Sequence, residues 1–237
     1  MRELAFKKEK KAKVSDFKRK LVVKNDPKSP VSEQYRTIRT NIQFSTVDQE
    51  IRTLMVTSSG PGEGKSTTAA NLATVFAQQG NKVLLVDADM RKPTVHYTFS
   101  LTNTFGLTTV LTKQSDLHDA ATQIDSSNLF VLPCGPVPPN PAELLSSRSM
   151  DEFIEAALNE YDMVLFDSPP VLVVTDAQLL ANKCDGTVLV VSSGFTEKEN
   201  AVKAKEQLTT SKAKLLGVIL NNKKQDQSQY YYYYGGK

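Results

Sequence analysis

One stretch decides the fold, and it reads LMVTSSGPGEGKST over residues 54–67. Its first four residues are typical of a buried strand, and the glycines that follow let backbone N–H groups turn inward. From Ser59 onward it matches the phosphate-loop pattern G-x-x-x-x-G-K-[ST], except that Ser59 replaces the first glycine. Lys65 is expected to reach the outer phosphates, and Ser66 to open a helix and offer its hydroxyl to Mg²⁺. The alternative, a glycine-rich turn that binds nothing, is disfavoured because strand, loop and helix signals occur together.

The bulk composition indicates one α/β domain. The chain has 237 residues, of which 40% are hydrophobic, enough for a single core rather than two domains. No apolar run approaches the ~18 to 20 residues that cross a bilayer, and the N-terminus alternates charges instead of forming a signal core. The two cysteines, Cys134 and Cys184, have no metal-binding spacing and suit a reducing compartment. We therefore expect a cytoplasmic location.

Apolar runs alternate with helical patterns along the chain. We expect strands at 53–57, 82–86, 129–132, 162–166, 187–192 and 215–220. This alternation predicts a doubly wound, mainly parallel sheet flanked by helices. Ser29 and Pro30 predict the N-cap and first position of a helix that runs to about Phe44. The chain is thus divided into a basic flexible arm, a nucleotide-binding domain and a tyrosine-rich flexible tail, with bounds 1–28, 29–224 and 225–237.

The basic charge is concentrated at the N-terminus. Residues 1–24 contain ten Lys or Arg and three acids, a charge of +7, whereas the whole chain carries +3 and the remainder −4. Such an arm can contact anionic lipid, where each basic residue contributes ~1 kcal/mol. Nucleic acid is a competing partner, and a solubilising tail is a third interpretation. The sequence leaves all three open.

Carboxylates follow two predicted strands. Asp87 and Asp89 come directly after the apolar run 83–86, and Asp167 follows the run 164–166. Because the carboxyl ends of parallel strands lie at one edge of the sheet, these groups are expected to meet the glycine loop around a Mg-nucleotide. The alternative is that each aspartate caps a turn. Three acids at matching positions favour the binding site.

These motifs resemble those of a known family. The loop at 59–66, the D-x-D-x-R segment ending at Arg91 and the D-x-P segment at Asp167 are similar to the Walker A, A′ and B motifs of bacterial tyrosine kinases. Those are cytoplasmic enzymes associated with capsule and exopolysaccharide synthesis. The resemblance extends from Ser29 to the C-terminus. It implies a P-loop NTPase fold of the deviant Walker, partition-ATPase type, and an ATP:protein-tyrosine phosphotransferase that uses ATP and Mg²⁺.

The resemblance also implies roles for individual residues. The catalytic group is Lys65, Asp87, Asp89 and Asp167, and which aspartate acts as base stays open. The metal ligands are Ser66, Asp87 and Asp167. The nucleotide-binding residues are Gly60, Pro61, Gly62, Glu63, Gly64, Lys65, Ser66 and Thr67, together with Asn221. Asn221 follows the last predicted strand, where contact with the base and a plain turn role are equally compatible with the sequence.

The C-terminus carries five consecutive tyrosines after a polar linker: Tyr230, Tyr231, Tyr232, Tyr233 and Tyr234. A terminal polar segment that ends in large aromatic side chains is not a core strand and indicates a flexible arm. The family phosphorylates such clusters on itself, so autophosphorylation of this tail is expected. An aromatic interaction patch is the alternative.

A triplet in the first predicted helix is a candidate for self-assembly. Glu33, Arg36 and Arg39 recur every third residue and spread over roughly 120° of one helix face. Their spacing is similar to the family's E-x-x-R-x-x-R oligomerisation motif, which implies a homo-oligomeric ring closed by head-to-tail contacts. The alternative is an ordinary intrahelical Glu–Arg pair worth ~0.2 to 0.5 kcal/mol.

Further partners follow from the resemblance alone. It implies a transmembrane adaptor that activates the kinase and brings it to the membrane, other proteins phosphorylated on tyrosine, and a cognate phosphotyrosine phosphatase. The competing function is a partition or division-site ATPase that switches by nucleotide-dependent dimerisation. That class carries an additional lysine near the start of its loop, where this chain has Gly60. A small-molecule kinase is the third possibility and lacks a recognisable substrate lid.

Overall fold

The computed structural model describes residues 21–46 and 50–223, which form a central sheet of seven strands. The strands are β1 (Thr53–Ser58), β2 (Val83–Asp87), β3 (Thr122–Gln123), β4 (Leu129–Leu132), β5 (Met163–Asp167), β6 (Gly186–Ser192) and β7 (Leu215–Asn221). Their spatial order is β3-β4-β2-β5-β1-β6-β7. Every neighbouring pair is parallel except β3 with β4. The prediction of a doubly wound, mainly parallel sheet is confirmed.

Helices connect the strands and cover both faces of the sheet. They are α1 (Val22–Asn25), α2 (Pro30–Gln43), α3 (Lys65–Gln78), α4 (Val95–Phe99), α5 (Leu107–Leu111), α6 (Leu117–Ala120), α7 (Pro141–Ser146), α8 (Arg148–Glu160), α9 (Asp176–Ala181) and α10 (Lys198–Thr210). Helix α2 begins as predicted, because the Ser29 side chain accepts a hydrogen bond from the Ser32 N–H and Pro30 fills the first position. In the part of the chain that is described, no helix is long and apolar enough to cross a membrane.

The sheet separates two hydrophobic layers. Alternate side chains of β1 enter opposite layers, Leu54 and Val56 on one side and Met55 on the other. The first layer is covered mainly by α3, in which ten consecutive residues from Thr68 to Ala77 are buried. The second is covered in part by α8, which contributes Met150, Phe153, Ile154 and Ala157. Strand β1 lies at the centre, between β5 and β6, and is buried along its whole length.

Residues that precede the predicted start of the domain also pack against it. Leu21 and Val23 are buried in the layer beneath α3, and the Val23 N–H donates to Asn71 Oδ1 at 3.1 Å. Part of the segment 21–28, which the prediction assigned to the arm, therefore packs against α3, because a short apolar run between lysines is enough for that contact. The bounds 29–224 stay a prediction. Residues 1–20 of the predicted arm and the whole predicted tail, 225–237, lie outside the described residues.

Strand β3 has no counterpart among the predicted strands. It is two exposed residues long and pairs antiparallel with β4, with Thr122 opposite Val131. Two residues are too few to show the alternation that identifies a strand in a sequence. The six longer strands all match predicted runs to within a residue or two.

Candidate functional site

The candidate site lies at the carboxyl ends of the parallel strands. The glycine loop follows β1, while Asp87 ends β2 and Asp167 ends the adjacent strand β5. Asp87 and Asp167 occupy paired positions in the register of these two strands. Asn221, the last residue of β7, contacts the loop from the other side. The sheet thus brings together the side chains that the sequence placed at this edge.

The loop between β1 and α3 depends on glycine at two positions. Gly62 and Gly64 have φ angles of +83° and +95°, in the left-handed region that favours glycine. At Gly64 a Cβ atom would lie only 2.1 Å from the side-chain nitrogen of Asn221. That nitrogen donates to the Glu63 carbonyl at 2.9 Å. Asn221 therefore contacts the backbone of the loop, and its predicted contact with a nucleotide base stays a prediction.

Lys65 is surrounded by acidic side chains. Its Nζ donates to Asp89 Oδ2 at 2.8 Å and lies 3.5 Å from Asp167 Oδ1. Burial lowers the pKa of Lys65, but the charges of Asp167 and Asp89 outweigh that effect and keep the pKa above its ordinary value. Lys65 is therefore a positive charge held by two carboxylates at the start of α3, and its contact with phosphate stays a prediction.

Asp87 and Asp167 are fully buried and only partly satisfied. Asp87 Oδ2 accepts from the N–H groups of Thr94 and Val95, each at 3.0 Å. Among the described residues its Oδ1 and Asp167 Oδ2 have no hydrogen-bond partner, and Asp167 Oδ1 has the ion pair with Lys65 at 3.5 Å. Burial, and then the charge of Asp167, raise the pKa of Asp87 well above its usual range. Burial also raises the pKa of Asp167, against the opposing effect of Lys65.

These unpartnered oxygens fit a divalent cation that arrives with a nucleotide. Buried carboxylate oxygens are costly unless a proton, a donor or a metal satisfies them. No group of three or more His, Cys, Asp or Glu within the described ranges could hold a metal ion. Mg²⁺, however, commonly takes only one or two carboxylates and completes its shell with phosphates and water. Ser66 lies alongside, with its Oγ 3.3 Å from Lys65 Nζ, so the residue types match the predicted Mg²⁺ set.

Some neighbours of the site were not expected from the sequence. Arg91 donates through Nε and Nη2 to the two oxygens of Asp176, at 2.9 and 3.0 Å, and Asp176 is fully buried at the start of α9. The segment that carries Asp89 is thereby fastened to α9. Phe195 is 65% exposed and packs beside Gly62 of the loop. Both contacts join residues far apart in sequence, so no local pattern announces them.

The triplet on α2 makes contacts within its own chain. Glu33 forms an ion pair with Arg36, which is the intrahelical pair considered as the alternative. Arg36 also donates to the Pro27 carbonyl at 2.8 Å, and Arg39 to the Val75 carbonyl of α3 at 3.1 Å. The part of the triplet in oligomerisation stays a prediction, as does phosphorylation of the tyrosines at 230–234, which lie outside the described residues.

Comparisons with known proteins agree on the family. The AAA domain family matches residues 51–214. The chain is 60% identical over 207 residues to the tyrosine-protein kinase YwqD of Bacillus subtilis (strain 168), with 87% of each chain covered. It superposes on the solved chimerical protein CapA2B2 with a TM-score of 0.84 at 45% identity, covering 87% of this chain and 91% of that one. The septum site-determining protein MinD from Pyrococcus horikoshii OT3, solved with Mg-ADP, is more distant, with a TM-score of 0.61 at 26% identity and coverage of 71% and 69%.

The fold, the carboxylates around Lys65 and these relatives all indicate the same family. The MinD likeness explains the shared sheet and loop, while the higher identity and longer coverage lie on the kinase side. The chain belongs to the bacterial tyrosine-protein kinases, P-loop transferases that phosphorylate tyrosine side chains of proteins.

Proposed function

We propose that this kinase transfers the γ-phosphoryl group of ATP to the tyrosines at 230–234 of a neighbouring copy and to tyrosines of other proteins. One observation carries the proposal. Lys65 is held between Asp89 and Asp167, beside two buried carboxylate oxygens, Asp87 Oδ1 and Asp167 Oδ2, that lack hydrogen-bond partners among the described residues. A fixed cation and unsatisfied carboxylates next to a glycine loop are what a phosphate with its Mg²⁺ requires.

The residues of the site divide the work by chemical type. Backbone N–H groups of residues 62–67, which include the N-terminus of α3, would bind the phosphates, and Lys65 would neutralise charge on the outermost one. Ser66, Asp87 and Asp167 would hold Mg²⁺, which when bound supplies further neutralisation of the transferring group. The two backbone donors to Asp87 Oδ2 orient that carboxylate so that Oδ1 stays free.

The proposed reaction is an in-line displacement. The phenolic oxygen of the acceptor tyrosine forms a bond to the γ-phosphorus while the bond to the leaving ADP oxygen breaks. The phenolic proton passes to one of Asp87, Asp89 and Asp167. Positioning and charge stabilisation supply most of the rate enhancement in such reactions. Each added phosphate brings about −1.5 to −2 charges, so a modified tail is repelled by the carboxylates of the site and is released.

The wider assignment rests on the family. We propose a homo-oligomeric ring in which Glu33, Arg36 and Arg39 take part, activation by a transmembrane adaptor that places the cytoplasmic kinase at the membrane, and reversal by a phosphotyrosine phosphatase. Contact of the basic arm with anionic lipid would add to that attachment. In this setting the kinase regulates exopolysaccharide or capsule synthesis.

The second candidate is an ATPase switch of the partition type. It is supported by the MinD structure, which was solved with Mg-ADP on a similar fold. Gly60 argues against it, because that class carries a lysine at this position of the loop. Release of stoichiometric phosphate without any phosphotyrosine would favour the switch.

The test uses two full-length variants that complement each other. One carries Lys65→Met and keeps its tyrosines, and the other keeps Lys65 but has phenylalanine at 230–234. The two are mixed with Mg-ATP and the adaptor's cytoplasmic segment, and phosphate is located by mass spectrometry. We expect phosphotyrosine on the tail of the Lys65→Met chain only in the mixture. A tail that stays unmodified while ATP is consumed would contradict the proposal. If wild type alone modifies its tail but the mixture shows no phosphotyrosine, transfer between copies is wrong.

A further inference from the structure

Glu63 places a carboxylate inside the phosphate-binding loop. Its side chain points into the protein, and the residue is only 3% exposed. Oε1 accepts from the Gly60 N–H at 2.9 Å, and Oε2 accepts from the Ser59 N–H at 3.2 Å. An acidic residue is an unexpected choice in a loop that receives phosphate. Both of its oxygens are instead occupied by hydrogen bonds from the loop itself.

Glu63 also makes contacts outside the loop, with β7 and with the segment that follows β6. Its carbonyl accepts from Asn221 Nδ2 on β7 at 2.9 Å. Burial raises the pKa of its carboxyl group, and hydrogen bonds from Gly60, Ser59 and the Thr196 side chain act in the opposite direction. These donors therefore favour the ionised carboxylate. Glu63 is therefore hydrogen-bonded both to the start of the loop and to the end of β7.

Gly60 and Glu63 are matched in space. A Cβ atom at residue 60 would lie 3.4 Å from Glu63 Oε1, in van der Waals contact, so the carboxylate lies directly beside Gly60. The loop contains three glycines within five residues and has large conformational freedom when nothing holds it. Hydrogen bonds to an ionised acceptor are the stronger kind and suit this holding role.

We propose that Glu63 is a positioning residue whose carboxylate clamps the first two N–H groups of the loop and holds the loop in its phosphate-accepting shape before nucleotide binds. The proposal rests on the proposed use of this loop for ATP. Because the loop is already ordered, less conformational entropy is lost when the phosphates arrive, and the nucleotide binds more tightly. The clamp acts through the loop backbone and does not touch the transferred group.

The test compares full-length Glu63→Ala, Glu63→Gln and wild type, with Glu206→Ala as a control for loss of an exposed glutamate on α10. Binding of a fluorescent ADP analogue with Mg²⁺ measures affinity without requiring catalysis. We expect the dissociation constant to rise about 10-fold for alanine. Glutamine should give a smaller rise, because its one oxygen keeps one of the two bonds. The control should match wild type.

A second measurement separates positioning from a general folding defect. Amide hydrogen exchange at Ser59 and Gly60 should accelerate in Glu63→Ala, while exchange in the buried strand β2 stays unchanged. In kinase assays the KM for ATP should rise, whereas kcat at saturating ATP should stay within about 2-fold, since uniform binding is what is lost. A structural defect would instead lower kcat at constant KM.

Unchanged or tighter nucleotide binding by Glu63→Ala would overturn the clamp. Tighter binding would mean that the carboxylate mainly repels phosphate. Because ADP binding requires neither the tail nor an acceptor, the clamp can hold even if the tyrosines at 230–234 are never modified. Failure of the proposed autophosphorylation is thereby distinguished from failure of the clamp.

Discussion

Replacing Asp87 by asparagine should stabilise the nucleotide-free protein and abolish the kinase. Asparagine keeps one carbonyl oxygen, which can still accept from the N–H groups of Thr94 and Val95. Its NH₂ group then takes the place of the unpartnered Oδ1, beside Asp167 on the adjacent strand. A buried negative charge is removed next to another one, so the folded state loses repulsion. The proposed Mg²⁺ site loses a ligand at the same time.

The gain follows from the raised pKa of Asp87. Burial and Asp167 raise that pKa in the folded state, so the folded protein holds this proton up to a higher pH than the unfolded chain does. Wild-type stability therefore falls as pH rises from about 4, the unfolded value, through the raised folded value. We expect Asp87→Asn to gain about 1 to 3 kcal/mol at pH 8, since buried charges are often replaced with gains of this size. Near pH 3 the gain should vanish, because Asp87 is then neutral in both states.

The assay is urea unfolding of both proteins between pH 3 and 8 in EDTA, followed by far-ultraviolet circular dichroism because the chain has no tryptophan. With excess Mg-ATP in place of EDTA the order should reverse at pH 8, because ligand at about 1,000 times Kd stabilises wild type by about 4.1 kcal/mol and the variant much less. Glu155→Gln, which neutralises an exposed carboxylate on α8, serves as the control. If Asp87→Asn is equally stable or less stable than wild type at pH 8, the ionised Asp87 carboxylate does not destabilise the folded state and the argument is refuted.

Two further predictions test other contacts of the site. Gly64→Ala should destabilise the protein by about 2 kcal/mol or more and weaken nucleotide binding, because the new Cβ would lie 2.1 Å from Asn221 Nδ2 at a φ of +95°. Gly80→Ala, at a φ of +109° with nothing within 4 Å, should cost only about 1 kcal/mol in the same denaturation assay and leave binding intact. Arg91→Met should cost about 2 kcal/mol, below the usual 3 to 5 for breaking a buried pair, because Arg91 is 43% exposed while Asp176 is buried. Adding Asp176→Asn should restore part of that loss, and no recovery would contradict the pairing.

The fold was predictable because its signals are local. Strand, glycine loop and helix follow one another within residues 53–78, and Ser29 with Pro30 announces the start of α2 in two residues. The positions of Asp87 and Asp167 follow from one rule about the carboxyl ends of parallel strands. Each of these inferences needs only a short window of sequence.

What could not be predicted depends on contacts between distant segments. Nothing near Glu63 shows that its side chain turns back to the N–H of Gly60 rather than towards phosphate. The pairing of Arg91 with Asp176 joins segments 85 residues apart. The sequence did not predict that Val23 packs against α3. Lysines flank the apolar run 21–23, and the high charge of residues 1–24 as a whole indicated an exposed arm. These contacts depend on packing between distant segments, and the spacing of apolar residues along the sequence carries no information about such packing.

The central position of β1 has a consequence for synthesis of the chain. Thr53 pairs with Val164, more than a hundred residues later, and the other partner of β1 is still further on. At translation rates of about 5 to 20 residues per second, β1 leaves the ribosome roughly 5 to 20 s before either neighbour exists. During that interval an apolar strand has no sheet to join and is a target for chaperones. The nucleotide site is therefore assembled late, and a nascent chain that ends before β5 cannot contain it.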